Sequence, residues 1–406
     1  MITTLQPLRY PVFRNMWLAN LAAHFGTMIQ AVGAAWLMTL LTDSAQMVAL
    51  VQSSTTIPIL LLALFAGAAA DTFDRRLVML SAQCMMLAVS AVLTLLSAFG
   101  HVTPFTLLGL TFLIGAGTAI NSPTWQASLR DQVPVSLLSS AIALNSIGFN
   151  LARSLGPAIG GMVMAGIGPT GNFFLNTLSY TALIFVLLNW RPVFNRDDTV
   201  KGIRHSIALG VDYAWREPAI RRTLVRSSLF GLMSSSIWAL APLVAKDILH
   251  GGQLTFGLLL GALGVGSIAG AIIADEMRRR LTLQNVFTIG SLGFALGMAG
   301  IMSFRVLSLA LPFALLAGAC WVGSLSTINI AIQSYVPQRL VGRCIATYYM
   351  FAFGGVSLGS YIWGLVADMS GLKTSVYVSA VLLIAVTLLG LRFPVPEASQ
   401  KAAPIR

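Results

Sequence analysis

Charge is the scarcest property of this chain. Asp, Glu, Lys and Arg make up 9% of its 406 residues and apolar side chains 56%, where a soluble domain is about a quarter charged. So little polar surface excludes a water-soluble globule. Acids are fewer still, 13 against 25 bases, and none stands in the middle of an apolar segment; Asp43, Asp247 and Asp368 lie near segment ends. The 4 histidines are scattered at 24, 101, 205 and 250, and no nucleophile stands beside a base, so no catalytic or metal-binding residue is expected. Cys84, Cys320 and Cys344 all fall in apolar runs and read as small buried residues rather than a disulfide or metal set. No glycine-rich, phosphate-cradling loop is present, which points to ion gradients rather than ATP as the energy source. No cofactor is expected, no sizeable soluble domain is left for a sensor, and Met1–Asn15 lacks the pattern of a cleavable leader.

Long apolar runs are what remain. Residues 44–70, 154–190, 248–274, 281–304 and 306–338 contain no charge at all. A spanning helix needs about 20 such residues, a barrel strand about 10 in strict alternation. Alternation is missing, so the pattern predicts an all-α membrane protein with twelve transmembrane helices, the seventh at about 227–246. With both termini cytoplasmic, 21 of the 25 Lys and Arg fall inside; Lys246, Arg305 and Lys373 fall outside, and Arg153 within a segment. One missed helix would invert every later loop, so this split supports both count and orientation. It also accounts for the net charge of +12 without a nucleic-acid partner. The expected organisation is a six-helix bundle over 1–190, a cytoplasmic linker with short amphipathic helices over 191–226, a second bundle over 227–393 and a disordered cytoplasmic tail over 394–406.

The bundles repeat each other. Gly67-Ala-Ala-Ala-Asp71-Thr-Phe-Asp74-Arg75-Arg76 returns 203 residues later as Gly270-Ala-Ile-Ile-Ala-Asp275-Glu276-Met-Arg278-Arg279, the acid displaced by one place. At the same offset Pro134 matches Pro337, Leu137 matches Leu340 and Gly156 matches Gly359. Two parallel six-helix halves in pseudo-twofold repeat, with substrate held between them, is the arrangement this implies. Each charged block has the makings of a latch. Gly67 lets its helix approach a neighbour closely, and Asp71 can face the positive N-terminal end of segment eleven. Arg75 and Arg76 can pair with acids or helix C-terminal carbonyls. A latch built from Gly67, Asp71, Arg75 and Arg76 with Gly270, Asp275, Arg278 and Arg279 would hold one packing of the halves and break in the other. The alternative is a basic anchor with no switching role.

Three stretches carry a family resemblance: Phe13-Arg14-Asn-Met-Trp17, the block Gly67–Arg76, and Asn145-Ser-Ile-Gly-Phe-Asn150-Leu-Ala-Arg153-Ser-Leu-Gly156-Pro157-Ala-Ile-Gly160-Gly161. Through them the chain resembles the major facilitator superfamily over nearly its whole length. The likeness is strongest to the bacterial exporter branch that includes the enterobactin exporter and macrolide efflux proteins. The first hinge departs from the family pattern at Thr72, usually a base, and at Asp74, usually Gly. Gly156, Pro157, Gly160 and Gly161 resemble the antiporter-associated helix-packing motif, with Ala152 where a further Gly is usual. The resemblance implies a tight contact of segment five with the glycine-rich segment eight, sealing the outer side; ordinary small-residue packing is the alternative. Many proton-coupled exporters of this kind carry a fourth-segment Arg, and here Thr111 stands in its place.

Polar residues within segments are candidate substrate contacts. Arg153 is the one fixed charge deep in an apolar segment; it faces the cavity, where it could attract an anionic or catecholate-type group, or it clamps backbone carbonyls. His24 could carry a proton or be a hydrogen-bonded core histidine. Gln30, Gln52, Asn121, Gln126, Asn145, Asn150 and Asn329 could line a cavity or bond helix to helix. The function expected is export of a small amphipathic molecule, drug-like or siderophore, across the bacterial inner membrane by alternating access. The working form would be a lipid-embedded monomer coupled to protons. An importer or facilitator of the same fold is the alternative, and a membrane enzyme or sensor a distant one.

Overall fold

The computed structural model describes residues 3–191, 212–337 and 340–396, with the backbone alone at 3–4, 63–64 and 67–72. No strand occurs among the described residues. The first helices are α1 (Pro11–Leu41), α2 (Ala45–Thr72), α3 (Arg75–Ala98) and α4 (Pro104–Ser128). A continuous helical run then covers Leu138–Asn189. At about 1.5 Å per residue, its 52 residues would greatly overreach a bilayer. It is broken at Gly168, whose φ of 74° only glycine adopts readily, followed by Pro169, which has no N–H to continue the ladder. Its arms are α5 (138–167) and α6 (169–189). The second half holds α7 (Pro218–Leu243), α8 (Gln253–Arg280), α9 (Leu283–Ser303), α10 (Leu307–Tyr335), α11 (Val341–Ser370) and α12 (Leu372–Leu389).

Local chemistry sets the helix ends. Pro11, Pro104 and Pro218 occupy first-turn positions where a missing N–H costs nothing. Thr103 and Thr106 form a reciprocal capping box on α4, and Thr282 caps α9. Asp74 accepts the Arg76 N–H at 2.8 Å and starts α3. The departure from the family pattern at Asp74 therefore has a local job.

Two boundaries differ from expectation. The seventh helix starts at Pro218, not near 227, because Arg221, Arg222 and Arg226 belong to its first turns. Arg226 is buried there: Nη1 donates to Gln284 Oε1 at 2.6 Å and to the Phe393 carbonyl at 2.8 Å, with the guanidinium 4.9 Å from the Phe287 ring centroid. The expected disordered tail also begins too early. Val395 is buried and its N–H donates to Gln284 Oε1 at 3.0 Å, so 394–396 are held against α9. Residues 397–406 and 192–211 lie outside the described residues; of the linker expected to carry short amphipathic helices over 191–226, residues 212–216 form a short helical stretch ahead of α7.

The apolar core is divided unevenly. One cluster joins both halves: Val32, Trp36, Met38 and Val48 of α1 and α2 are continuous with Leu240, Phe256, Leu259 and Val356 of the second half. A separate cluster, with Phe13, Met16, Met79, Trp125, Leu129, Leu144 and Leu187, belongs to the first half alone. The first half contributes to the shared core only toward the α1–α2 turn, here termed the distal end, while the second half's part of it runs on to Ile220, Phe287 and Leu340. The private core lies toward the basic end, which carries Arg75, Arg130 and Arg278–Arg280.

Candidate functional site

The seam between the halves is built from two helix pairs. Along α5 and α8 the backbones nearly touch. A Cβ placed on Gly161 would lie 2.7 Å from the Gln253 carbonyl oxygen and 3.0 Å from Gly257 Cα. One on Gly257 would meet the Pro157 carbonyl oxygen at 2.7 Å, and one on Gly264 would meet Arg153 O at 2.7 Å. Real Cβ atoms do not approach so closely, so glycine is what permits this pairing. Gly156 and Gly160 turn the other way, toward Met28, Ile29 and Val32 of α1. The motif therefore serves two interfaces: Pro157 and Gly161 face the opposite half, Gly156 and Gly160 their own.

The second pair, α2 with α11, is fastened differently. Asp368, near the end of α11, caps the N-terminus of α2 in the other half. Its carboxylate accepts from Ser44 Oγ at 2.7 Å, the Ala45 N–H at 2.5 Å and the Gln46 N–H at 3.2 Å. Below it Gly364 abuts Gln46 and Ala49, Ser53 Oγ donates to the Ser357 carbonyl at 2.9 Å, and Gly354 meets Leu60 at mid-length. Lys246 Nζ donates to the Thr39 carbonyl at 3.1 Å, and Trp36 stacks on Phe256 at 6.0 Å. These contacts occupy the distal half of the seam. Toward the basic end, Ile142 and Ile147 of α5 and Ile268 and Ile272 of α8 are exposed.

The residues of the two charged blocks tie neighbours within their own halves. Arg75 pairs with Asp131 at 2.9 Å, and Arg76 donates to the Leu187 and Leu188 carbonyls at the end of α6, at 2.9 and 2.8 Å. Arg278 donates to Ser326 and Thr327 of α10 at 3.2 and 3.3 Å, while Asp275 meets Arg278 at 3.6 Å and Arg279 at 3.3 Å on its own helix. Gly270 lies against Ala319 of α10. The packing around Gly67 and the side chain of Asp71 lie outside what is described.

The polar residues expected to line a cavity separate into groups. Gln30 takes the second of its two alternatives, bonding helix to helix: it is buried, its Oε1 takes the hydroxyl of Ser90 at 2.9 Å and the amide of Asn176, and it faces α3 and α6. Asn145 Oδ1 accepts from Trp125 Nε1 at 2.8 Å and Asn20 Nδ2 at 3.4 Å, and Asn20 Nδ2 lies 3.1 Å from His24 Nε2. His24 in turn sits edge-on to Phe149, with centroids 5.3 Å apart. Asn150 donates to the Ser146 carbonyl of its own helix at 2.8 Å. Asn329 donates to Tyr349 OH at 3.3 Å and accepts from Gln333, between α10 and α11. Gln126, which matches Asn329 at the repeat offset, is exposed; Gln52 is half-buried. Asn121 has a buried Oδ1 with no hydrogen-bond partner among the described residues. Arg153 is half-buried, and its guanidinium lies 5.7 Å from the ring centroid of Trp238, across the seam on α7.

Sequence reasoning missed Asp368 and Arg226. A faint signal existed for Asp368, since an acid in the last turn opposes its own helix dipole and needs another partner. Arg226 gave none, because a base beside a linker reads as solvated.

Comparison with known proteins places this geometry. The family described as transmembrane secretion effector matches residues 2–405. The staphyloferrin A transporter of Staphylococcus aureus is 22% identical over 89% of this chain and 91% of its own length. The multidrug efflux pump Tap of Mycolicibacterium fortuitum is 27% identical over 88% and 89%, and that of Mycobacterium tuberculosis 26% over 95% and 94%. Among solved structures, a bacterial homologue of the lysosomal transporter spinster superposes with a TM-score of 0.78 at 12% identity, covering 98% of this chain and all of that one. The nucleoside transporter NupG gives 0.72 at 12% identity over 94% and 98%. Among the described residues twelve helices form two repeated halves with no strand, and the family match runs along the whole length: the chain is a membrane transporter and belongs to the transmembrane secretion effector family of the major facilitator superfamily.

Proposed function

We propose that the protein exports small amphipathic molecules across the bacterial inner membrane by alternating access, driven by an ion gradient, with both termini and the basic end cytoplasmic. The carrying observation is the uneven core: the halves share apolar packing at the distal end and keep separate packing at the basic end. On this reading the structure is the inward-open state, and the bundles over 1–190 and 218–393 tilt about a site near mid-length. A secretion-effector match and two efflux or siderophore transporters among the relatives support export and a small-molecule substrate. The basic clusters support the orientation through the positive-inside rule. A coupling proton, a monomeric working form and a role for Asp71 in the opposite state belong to the same proposal.

The test has two parts. Spin labels at the distal ends of α2 and α11 should give a short, narrow distance, and labels at the basic ends of α5 and α8 a long one. Energised inverted vesicles from an overexpressing strain should accumulate compounds to which that strain is more resistant than a deletion strain. Uptake by whole cells instead would make the protein an importer.

A further inference from the structure

We infer that Arg153 and Trp238 form a seat for an amphipathic anion, so that the substrates carry an acidic group beside an aromatic or apolar body. The inference rests on the transporter reading above and narrows its substrate class. Arg153 lies on α5 next to Ser154, where the close approach of α5 to Gly264 of α8 is the last of the glycine contacts between these two helices before they reach the basic end. The guanidinium therefore sits where the seam gives way to the space between the halves. Its neighbour is the Trp238 face, 5.7 Å away on the opposite half. Among the described residues no carboxylate, carbonyl or side-chain oxygen takes a hydrogen bond from it, so its N–H donors have no partner within the chain there.

A cation at membrane mid-depth needs a counter-charge, and the chain supplies none there. The acids among the described residues stand at helix ends or in turns: Asp43, Asp74, Asp131, Asp212, Glu217, Asp247, Asp275, Glu276 and Asp368. The contact with the ring offsets only part of the lost hydration. The planar fork of Arg suits a carboxylate, sulfonate or phenolate group. An apolar body has the Trp238 face, which is held from behind by the buried rings of Trp321 at 5.7 Å and, beyond it, Phe230 and Phe294 at 5.5 and 5.7 Å from Trp321. Bound there, a ligand would touch both halves, as a carrier's substrate must if it is to bias their packing.

The probes are 2-naphthoate and its neutral counterpart 2-naphthamide, titrated by tryptophan quenching against the full-length protein in nanodiscs. The wild type should bind the acid at least about tenfold more tightly, which is about 1.4 kcal/mol. Arg153→Gln should abolish that preference and Arg153→Lys keep most of it, while Trp238→Leu should weaken both probes. Equal affinity of the wild type for the two probes, or a preference that survives in Arg153→Gln, overturns the seat. Discs of phosphatidylcholine alone and discs with added phosphatidylglycerol separate a soluble anion from a lipid headgroup. Unchanged naphthoate affinity supports a transported anion, and tenfold competition by the anionic lipid overturns it. Efflux of a cationic or neutral compound by Arg153→Gln in inverted vesicles would leave the exporter reading standing while the seat fell.

Discussion

At the scale of single residues, two charged side chains hold more than the sequence suggests. Arg226 joins the start of α7, the start of α9 and the chain just after α12 through two charge-assisted bonds. Arg226→Ala should leave Gln284 and the Phe393 carbonyl without their donor at a cost of about 3 kcal/mol. That would appear as a melting midpoint lowered by several degrees in detergent, and an unchanged midpoint would show the clasp to be idle. Asp368 is a stronger test of mechanism. Asp368→Asn replaces one acceptor oxygen by a donor and removes the charge at the start of α2, costing about 1 kcal/mol or more. It should raise thiol accessibility at Thr42→Cys and move the population toward the outward-open state. If accessibility at that position does not change, Asp368 is not a catch. Asp71→Asn, argued from the repeated block alone, should abolish transport with membrane expression intact.

At the scale of helices, the two arms of the seam obey different rules. The α5–α8 arm depends on absent side chains: Gly257→Val would put its Cβ 2.7 Å from the Pro157 carbonyl oxygen, a clash backbone cannot easily relieve. Overpacking of this kind costs about 1–3 kcal/mol. Transport should fall sharply while expression persists, whereas Gly166→Ala, which meets open space, should transport normally. Much of this level was legible. Uncharged runs gave the twelve spans, and Gly161 meets the glycines of α8 as expected of the motif, whereas Gly156 and Gly160 pack on α1. What escaped was direction around each helix. Gln30 sits on the face of α1 that also carries Gly26 and Gly33, both packed on α6, and a polar residue in an apolar run does not announce which neighbour it meets. The early start of α7 escaped because the hydrogen-bond partners that let Arg226 be buried lie more than fifty residues away in sequence.

At the scale of the whole molecule, the repeat in sequence is not a repeat in fastening. Arg75 ends on Asp131 beyond α4, whereas its counterpart Arg278 remains inside α8 and reaches hydroxyls of α10. A near-perfect offset of 203 residues predicted the fold but could not reveal that divergence, since short-range pairing depends on whether a helix continues or turns. Relative motion of the halves is open to a direct check. In a background without the native cysteines, Ser53→Cys with Ser357→Cys should cross-link on oxidation and stop transport until reduced; transport that continues through the cross-link would remove rocking at this seam. The carboxylate of Asp368 closes the matter in another way. It is bonded at the rim of the bundle and exposed, while Gly161, Gly257 and Gly264 of the other arm are buried. The ionic make-up of the fluid bathing that rim can therefore loosen one arm more than the other, and on the export reading that fluid is the one into which the substrate is released.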